Sequence, residues 1–194
     1  MTNSSLARTP WTRLTSRPVY KNKWMAVRED QARMPDGRET IYGVVECGRC
    51  VGVLPFVDRD RVLLVGQYRY IPQRFTWEMP TGGVRPGEPL EVAAQRELAE
   101  ESGMRAGRLT WINTNHTSKS VMDETAHLFL GEDLTPAARD GDETEFIERR
   151  VFPFAEALEM VRQSEITDSM TVIAVLHAAL RRTSSSPPPP PRGT

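Results

Sequence analysis

A chain of 194 residues has room for one domain, or for one domain with a small extension. Its 25 basic and 26 acidic side chains leave a formal net charge of −1, so no global basic field draws it to nucleic acid or a membrane surface. No apolar run approaches the roughly 20 residues of a membrane span. The N-terminus lacks the apolar core of a secretory signal, and two cysteines make no disulfide framework, so the expected location is the cytoplasm.

Residues 1–17 are polar and are expected to be flexible. Strand character begins at Val19 and continues through residues 23–30 and 40–46, with Asp36-Gly37 between them as a hairpin signal. Residues 18–47 therefore read as an N-terminal antiparallel β unit. It is too small to bury a core alone and is expected to pack on the following domain or on a second subunit. Cys47 and Cys50 form the run CGRC. A zinc site would need two further ligands, and His116, His127 and His177 are scattered, so reduced thiols at a strand turn are expected.

Residues 51–55 and 61–68 read as a hairpin turning at Asp58-Arg59-Asp60, and residues 75–80 follow after a loop. A glycine-rich loop then leads into a helix from about Pro89 to Ser102, with Gly103 as its stop. Beyond it, residues 106–113 and 126–130 read as strands on either side of a polar loop, and residues 147–152 as one more strand. Residues 154–163 and 170–181 have helical periodicity, the second capped by Asp168. The final stretch, residues 183–194, reads TSSSPPPPPRGT. Its proline run is expected to be polyproline II in an otherwise disordered tail, and a ligand for a proline-reading module is the lesser alternative.

The helix at residues 89–102 carries the chemistry. At 100° per residue, Leu90, Ala94 and Leu98 form an apolar stripe. Glu97 and Glu101 fall inside that stripe, and Glu100 flanks it. Carboxylates converging on one helix face repel each other. A hard divalent cation reverses that sign, because Mg²⁺ takes oxygen ligands from carboxylates, waters and substrate phosphates. A solvated acidic face is the plain alternative, and the spacing argues against it.

The run from Gly82 to Met104 resembles the Nudix hydrolase signature at Gly82, Glu88, Arg96, Glu97, Leu98, Glu100, Glu101, Gly103 and Met104. The resemblance implies an α/β fold, the Nudix α/β/α sandwich with a mixed sheet over roughly residues 48–182, preceded by the antiparallel β extension. It implies Mg²⁺, with Mn²⁺ able to substitute, held by Glu97, Glu101, Glu100 and the main-chain carbonyl of Thr81. Arg96 would orient the carboxylates, and Arg96, Glu100 and Glu124 form the catalytic group. Glu124 lies in the loop before the strand HLFL and is the candidate general base, with Asp123 second. Arg69 in QYRY would contact a substrate phosphate through its planar fork. Glu78 in TWEMPTGG, Arg28 and Trp24 complete the implied substrate contacts, and Trp77 is a further aromatic candidate.

The QYRY and WEMPTGG segments, with the preceding hairpin, look like the ADP-ribose pyrophosphatase and nucleoside-diphosphate-sugar branch. That branch implies a nucleotide-sugar substrate and a homodimer through the N-terminal strands, without nucleic acid or membrane partners. One departure stands out. Many ADP-ribose pyrophosphatases carry a proline some fifteen residues past the signature, and this chain has none around Ser118-Lys119, which leaves GDP-mannose or another nucleotide sugar open. The rival readings are a Nudix hydrolase of oxidised nucleoside triphosphates or capped RNA, and a non-catalytic nucleotide-sugar sensor.

Overall fold

A computed structural model describes residues 7–23, 25–138 and 146–183. Those residues fall into two units. One is built from the chain up to Gly48 together with His116–Glu124, and the other from Arg49–Asn115 with the chain from Thr125 onward. Trp24 and the tail from Ser184 lie outside the described residues, so the readings made for them have no structural counterpart.

The first unit is a three-stranded antiparallel sheet in the order β1 (Thr12–Lys21), β2 (Ala26–Arg33), β3 (Glu39–Glu46). The hairpin expected at Asp36-Gly37 is present: Gly37 N donates to Met34 O, and Met34 N to Arg38 O. β1 starts at Thr12, ahead of the expected start at Val19, so part of the stretch read as flexible is strand. The reason is burial. Nearly every β1 residue is exposed, so the strand shows no alternation of apolar and polar positions to be read. It is held by its ladder to β2 and by an Arg17–Glu29 ion pair at 2.8 Å.

The second unit is built on a seven-stranded mixed sheet. Its strands are β4 (Arg49–Asp58), β5 (Arg61–Arg69), β6 (Arg74–Glu78), β7 (Thr81–Gly83), β8 (Met104–His116), β9 (Thr125–Pro136) and β10 (Glu148–Pro153). The main path runs β10-β5-β4-β9-β8, with β6 on β5 and β7 on β4. β4 and β9 pair in parallel from Arg49↔Thr125 to Pro55↔Gly131, while β4–β5, β4–β7, β5–β6 and β10–β5 are antiparallel. β4 is central and reads as a nearly continuous apolar run, as expected for a strand covered on both faces.

Among the described residues three helices cover the two faces: α1 (Leu90–Ser102), α2 (Phe154–Arg162) and α3 (Ser169–Thr183). On one face Ala93, Ala94 and Leu98 of α1 pack with Val51, Val53, Ala106 and Phe129. On the other, α2 and α3 close over Leu54, Leu64, Met79, Leu128 and Phe152. The layers are helix, sheet, helix. Asp168 caps α3 as expected, its Oδ2 accepting from Thr171 N at 2.8 Å and from Thr171 Oγ1 at 2.6 Å. Cys47 and Cys50 are free thiols, the first exposed and the second buried. Among the described residues, no helix is long and apolar enough to cross a membrane.

Candidate active site

α1 is positioned from both ends. Pro89 occupies its N-cap in an extended conformation, and Gly103 closes it with φ of 71°, a left-handed geometry that glycine adopts without cost. Between them the apolar stripe faces the sheet. Glu97 and Glu101, one turn apart, are drawn down beside it, and only 9% of Glu97 and 7% of Glu101 is exposed. Burying a carboxylate requires compensation, and each carboxylate has visible partners.

Arg96 supplies most of that compensation. Its Nε and Nη2 grip both oxygens of Glu88 at 2.9 and 2.8 Å, its Nη1 donates to Glu97 at 2.6 Å and Glu100 at 3.2 Å, and its Nη2 also reaches the Gly83 carbonyl at 2.9 Å. The guanidinium therefore ties the loop before the helix to two turns of it. This bidentate grip, reinforced by the Arg85 main-chain N–H, holds the Glu88 carboxyl far below its usual range, at about 2. The same contact with Glu88 pushes the Arg96 guanidinium up. The Glu97 carboxylate lies directly over Gly82 of β7, where a Cβ would overlap its terminal atoms. β7 was read from sequence as part of a glycine-rich loop, and its short ladder to β4 (Val51↔Gly82) is what brings the glycine under the helix.

Glu101 belongs to a second group. Its Oε2 accepts from Thr81 N at 3.2 Å, and its main-chain carbonyl accepts from Arg149 Nε at 2.6 Å. Its charge also helps to raise the Arg69 guanidinium, though the larger cause is Glu78. Arg69 grips Glu78, with Nε at 3.1 Å from both oxygens and Nη2 at 2.5 Å from Oε2, and Thr76 Oγ1 donates to the same carboxylate. Glu78 is almost fully buried. Arg69 and Glu78, chosen separately from sequence, are thus one ion pair.

The other sequence candidates fall elsewhere. Trp77 sits edge-on between Phe75 and Phe152 at 5.3 and 5.1 Å and packs against the α2–α3 core, so it is a packing residue. Arg28 lies in the N-terminal unit, paired with Glu46 at 2.7 Å, Asp30 at 3.1 Å and Asp123 at 3.7 Å. Asp123 uses one oxygen to accept from Cys47 N and Gly48 N at 2.7 and 3.1 Å, which lowers its pKa and makes it a loop anchor. Glu124 ends the same loop, within that unit. Arg149 was not found from sequence. It lies in an exposed strand among other charged residues, and nothing local marks it.

Whether these residues suit a divalent cation can be tested on their chemistry. The donors are all oxygens, two of the carboxylates are buried on successive helical turns, and Gly82 makes room for the carboxylate of one of them, Glu97. In their present rotamers they face arginine and backbone partners. Among the described residues, no three His, Cys, Asp or Glu side chains already stand together as a ligand set. The donor set fits a hard cation, which would share Glu97 and Glu100 with Arg96.

Comparison with known proteins agrees with this architecture. A NUDIX domain profile matches residues 48–170, and one described as the nucleoside diphosphate sugar hydrolase N-terminal domain matches residues 11–45. An ADP-ribose pyrophosphatase of Bacillus subtilis is 32% identical over 84% of this chain and 89% of its own. A methanol dehydrogenase activator of Bacillus methanolicus is 29% identical over the same shares. A crystal structure of an ADP compounds hydrolase superposes with a TM-score of 0.78 at 23% identity, covering 89% of this chain and 94% of that one, and shares the fold. With a family match over most of the sandwich and the signature carboxylates gathered on α1, the chain belongs to the Nudix family and is a hydrolase of pyrophosphate bonds.

Proposed function

We propose that this protein is a Mg²⁺-dependent pyrophosphohydrolase of a nucleoside diphosphate sugar, with ADP-ribose as the leading substrate, releasing a nucleoside monophosphate and a sugar phosphate. The observation that carries the reading is the buried pair Glu97 and Glu101 on the sheet-facing side of α1, with Glu97 seated over Gly82. The N-terminal match and the B. subtilis ADP-ribose pyrophosphatase support the substrate class.

In this reading Glu97, Glu101 and Glu100, with the Thr81 carbonyl, hold the cation. A bound cation would offset the negative charge of the pyrophosphate and lower the pKa of the attacking water. Arg96 fixes the rotamers of Glu97 and Glu100, and its hold on Glu88 and the Gly83 carbonyl keeps the loop seated on the helix. Arg69, aligned by Glu78, presents its guanidinium edge to a substrate phosphate. Glu124 takes the proton from the attacking water, since Asp123 spends its carboxylate on the backbone. Trp11, Val19, Tyr20, Ile41 and Tyr42 leave apolar surface exposed on the N-terminal sheet, which suits a homodimer contact through those strands.

The test is release of phosphatase-sensitive products from ADP-ribose, ADP-glucose, GDP-mannose, UDP-glucose, NADH and 8-oxo-dGTP with Mg²⁺ or Mn²⁺. Cleavage of ADP-ribose or a nucleotide sugar at the pyrophosphate is expected. Cleavage of the nucleoside triphosphate alone would overturn the substrate class. Sedimentation of the intact protein reads the dimer.

A further inference from the structure

The last turn of α1 contains no basic side chain, although a helix C-terminus carries partial negative charge and unpaired carbonyls. Near that end Ser102 Oγ donates to Leu98 O at 2.5 Å and Gly103 N to Ala99 O at 2.9 Å. The Glu101 carbonyl has a different partner, Arg149 Nε of β10, far away in sequence, at 2.6 Å. The register shows why it can reach. Arg149 pairs with Val65 across β10–β5, and Val65 pairs with Glu78 across β5–β6, so the three form one row across the sheet. Glu78 at the other end of that row holds Arg69.

Two of the bonds to Glu101 differ in strength. The side-chain bond from Thr81 N is 3.2 Å long and uncharged on the donor side. The main-chain bond from Arg149 is 2.6 Å long and charge-assisted. The shorter one acts on the backbone from which the carboxylate projects, at the helix end most prone to fray.

We propose that Arg149 is a positioning residue for the cation site. By clamping the Glu101 carbonyl it fixes the last turn of α1 against the edge of the sheet and sets the direction of the Glu101 carboxylate. This rests on the reading of Glu101 as a cation ligand. Arg149 does not touch substrate in this role. Its removal weakens the cation rather than the nucleotide sugar.

The experiment is Mn²⁺ binding by electron paramagnetic resonance to the full chain without substrate, in wild type, Arg149→Gln, Arg149→Lys and Glu101→Gln, alongside kcat and KM for ADP-ribose at saturating metal and thermal melting. Arg149→Gln is expected to bind Mn²⁺ about tenfold more weakly, as loss of groups that orient metal ligands does elsewhere, with KM at saturating metal unchanged. Arg149→Lys keeps the charge at the helix end but loses the fixed Nε donor, and is expected to recover only part of the affinity. Should the glutamine variant fail to fold, the lysine variant carries the test. Wild-type Mn²⁺ affinity in a folded Arg149 variant overturns the inference, as does a raised KM with Mn²⁺ affinity intact. Wild-type Mn²⁺ affinity in Glu101→Gln overturns the underlying ligand role, and the same titration separates the two failures.

Discussion

Replacing Gly82 by alanine adds one methyl group at the point where β7 meets α1. The backbone there is ordinary strand, so alanine introduces no conformational strain. The new Cβ instead overlaps the carboxyl carbon and both oxygens of Glu97, the far end of a flexible side chain. Relief is therefore available without moving the backbone: Glu97 swings aside. The fold loses the 2.6 Å bond from Arg96 to Glu97, while Arg96 keeps Glu88, Glu100 and the Gly83 carbonyl. A hydrogen bond to a charged group contributes about 1.5–3 kcal/mol, and retention of the other partners puts the loss at the low end. In a domain of this size that lowers Tm by about 3–6 °C. Activity responds differently, because a misplacement of about 1 Å at a catalytic group can cost about a hundredfold in rate. Gly82→Ala should thus melt a few degrees early and lose about two orders of magnitude in kcat on ADP-ribose. Steady-state kinetics and circular dichroism melting read both quantities. Wild-type turnover in Gly82→Ala would falsify the placement of Glu97 at the reacting centre, whatever the melting point.

Three further outcomes follow from the ion pairs and the cap. The Glu88 carboxyl sits at about 2 when folded and near 4.5 when unfolded, so its stabilisation is fully present above pH 4.5 and is lost as pH falls toward 2. Glu88→Gln should melt earlier than wild type at pH 7 and converge with it near pH 2, and parallel curves would remove Glu88 from the acid response. Arg69→Lys gives up a bidentate grip, and losing about 1.4 kcal/mol of phosphate contact raises KM for ADP-ribose about tenfold, with kcat less affected; an unchanged KM would leave Arg69 as a structural partner of Glu78. Asp168→Ala removes the α3 cap, a loss of about 1 kcal/mol that lowers Tm by about 2–4 °C, and a variant melting like wild type would show that Thr171 holds the helix start without it.

What the sequence revealed and what it hid divide along one line. The helix α1 was legible because its determinants are local: Pro89, the stripe of Ala94 and Leu98, the left-handed Gly103 and the glutamate spacing all lie within one segment. The Asp168 cap was legible for the same reason. β7 was hidden because Thr81-Gly82-Gly83 has loop composition and is strand only through pairing with β4. The first part of β1, ahead of Val19, was hidden because a strand exposed on nearly every residue has no period of two. The parallel β4–β9 ladder and the reach of Arg149 to Glu101 depend on segments far apart in sequence, which no local pattern encodes. Arg69 and Glu78 were each selected, but their union needed the β5–β6 hairpin in space.

The charge balance around α1 leads to a last expectation. The partly buried Arg96 guanidinium faces Glu88, Glu97 and Glu100, the largely exposed Arg85 stands 3.6 Å from Glu100, and Arg149 meets the Glu101 carbonyl. Arg69 is already matched by Glu78. Glu97, Glu100 and Glu101 stand within two turns of one helix, two of them buried, and repulsion between carboxylates at such sites is screened less than at the surface. A ligand bound only by the folded state stabilises it by about 2.7 kcal/mol at a hundred times its Kd, which for a domain of this size raises Tm by about 5–11 °C. Saturating Mg²⁺ should produce a rise of that order without any substrate, and K⁺ at equal ionic strength should not. Glu97→Gln combined with Glu101→Gln should abolish most of the rise. An equal Mg²⁺ response in the double variant would move the cation away from α1. A response to K⁺ as large as that to Mg²⁺ would mean that screening alone, with no bound ion, accounts for the effect.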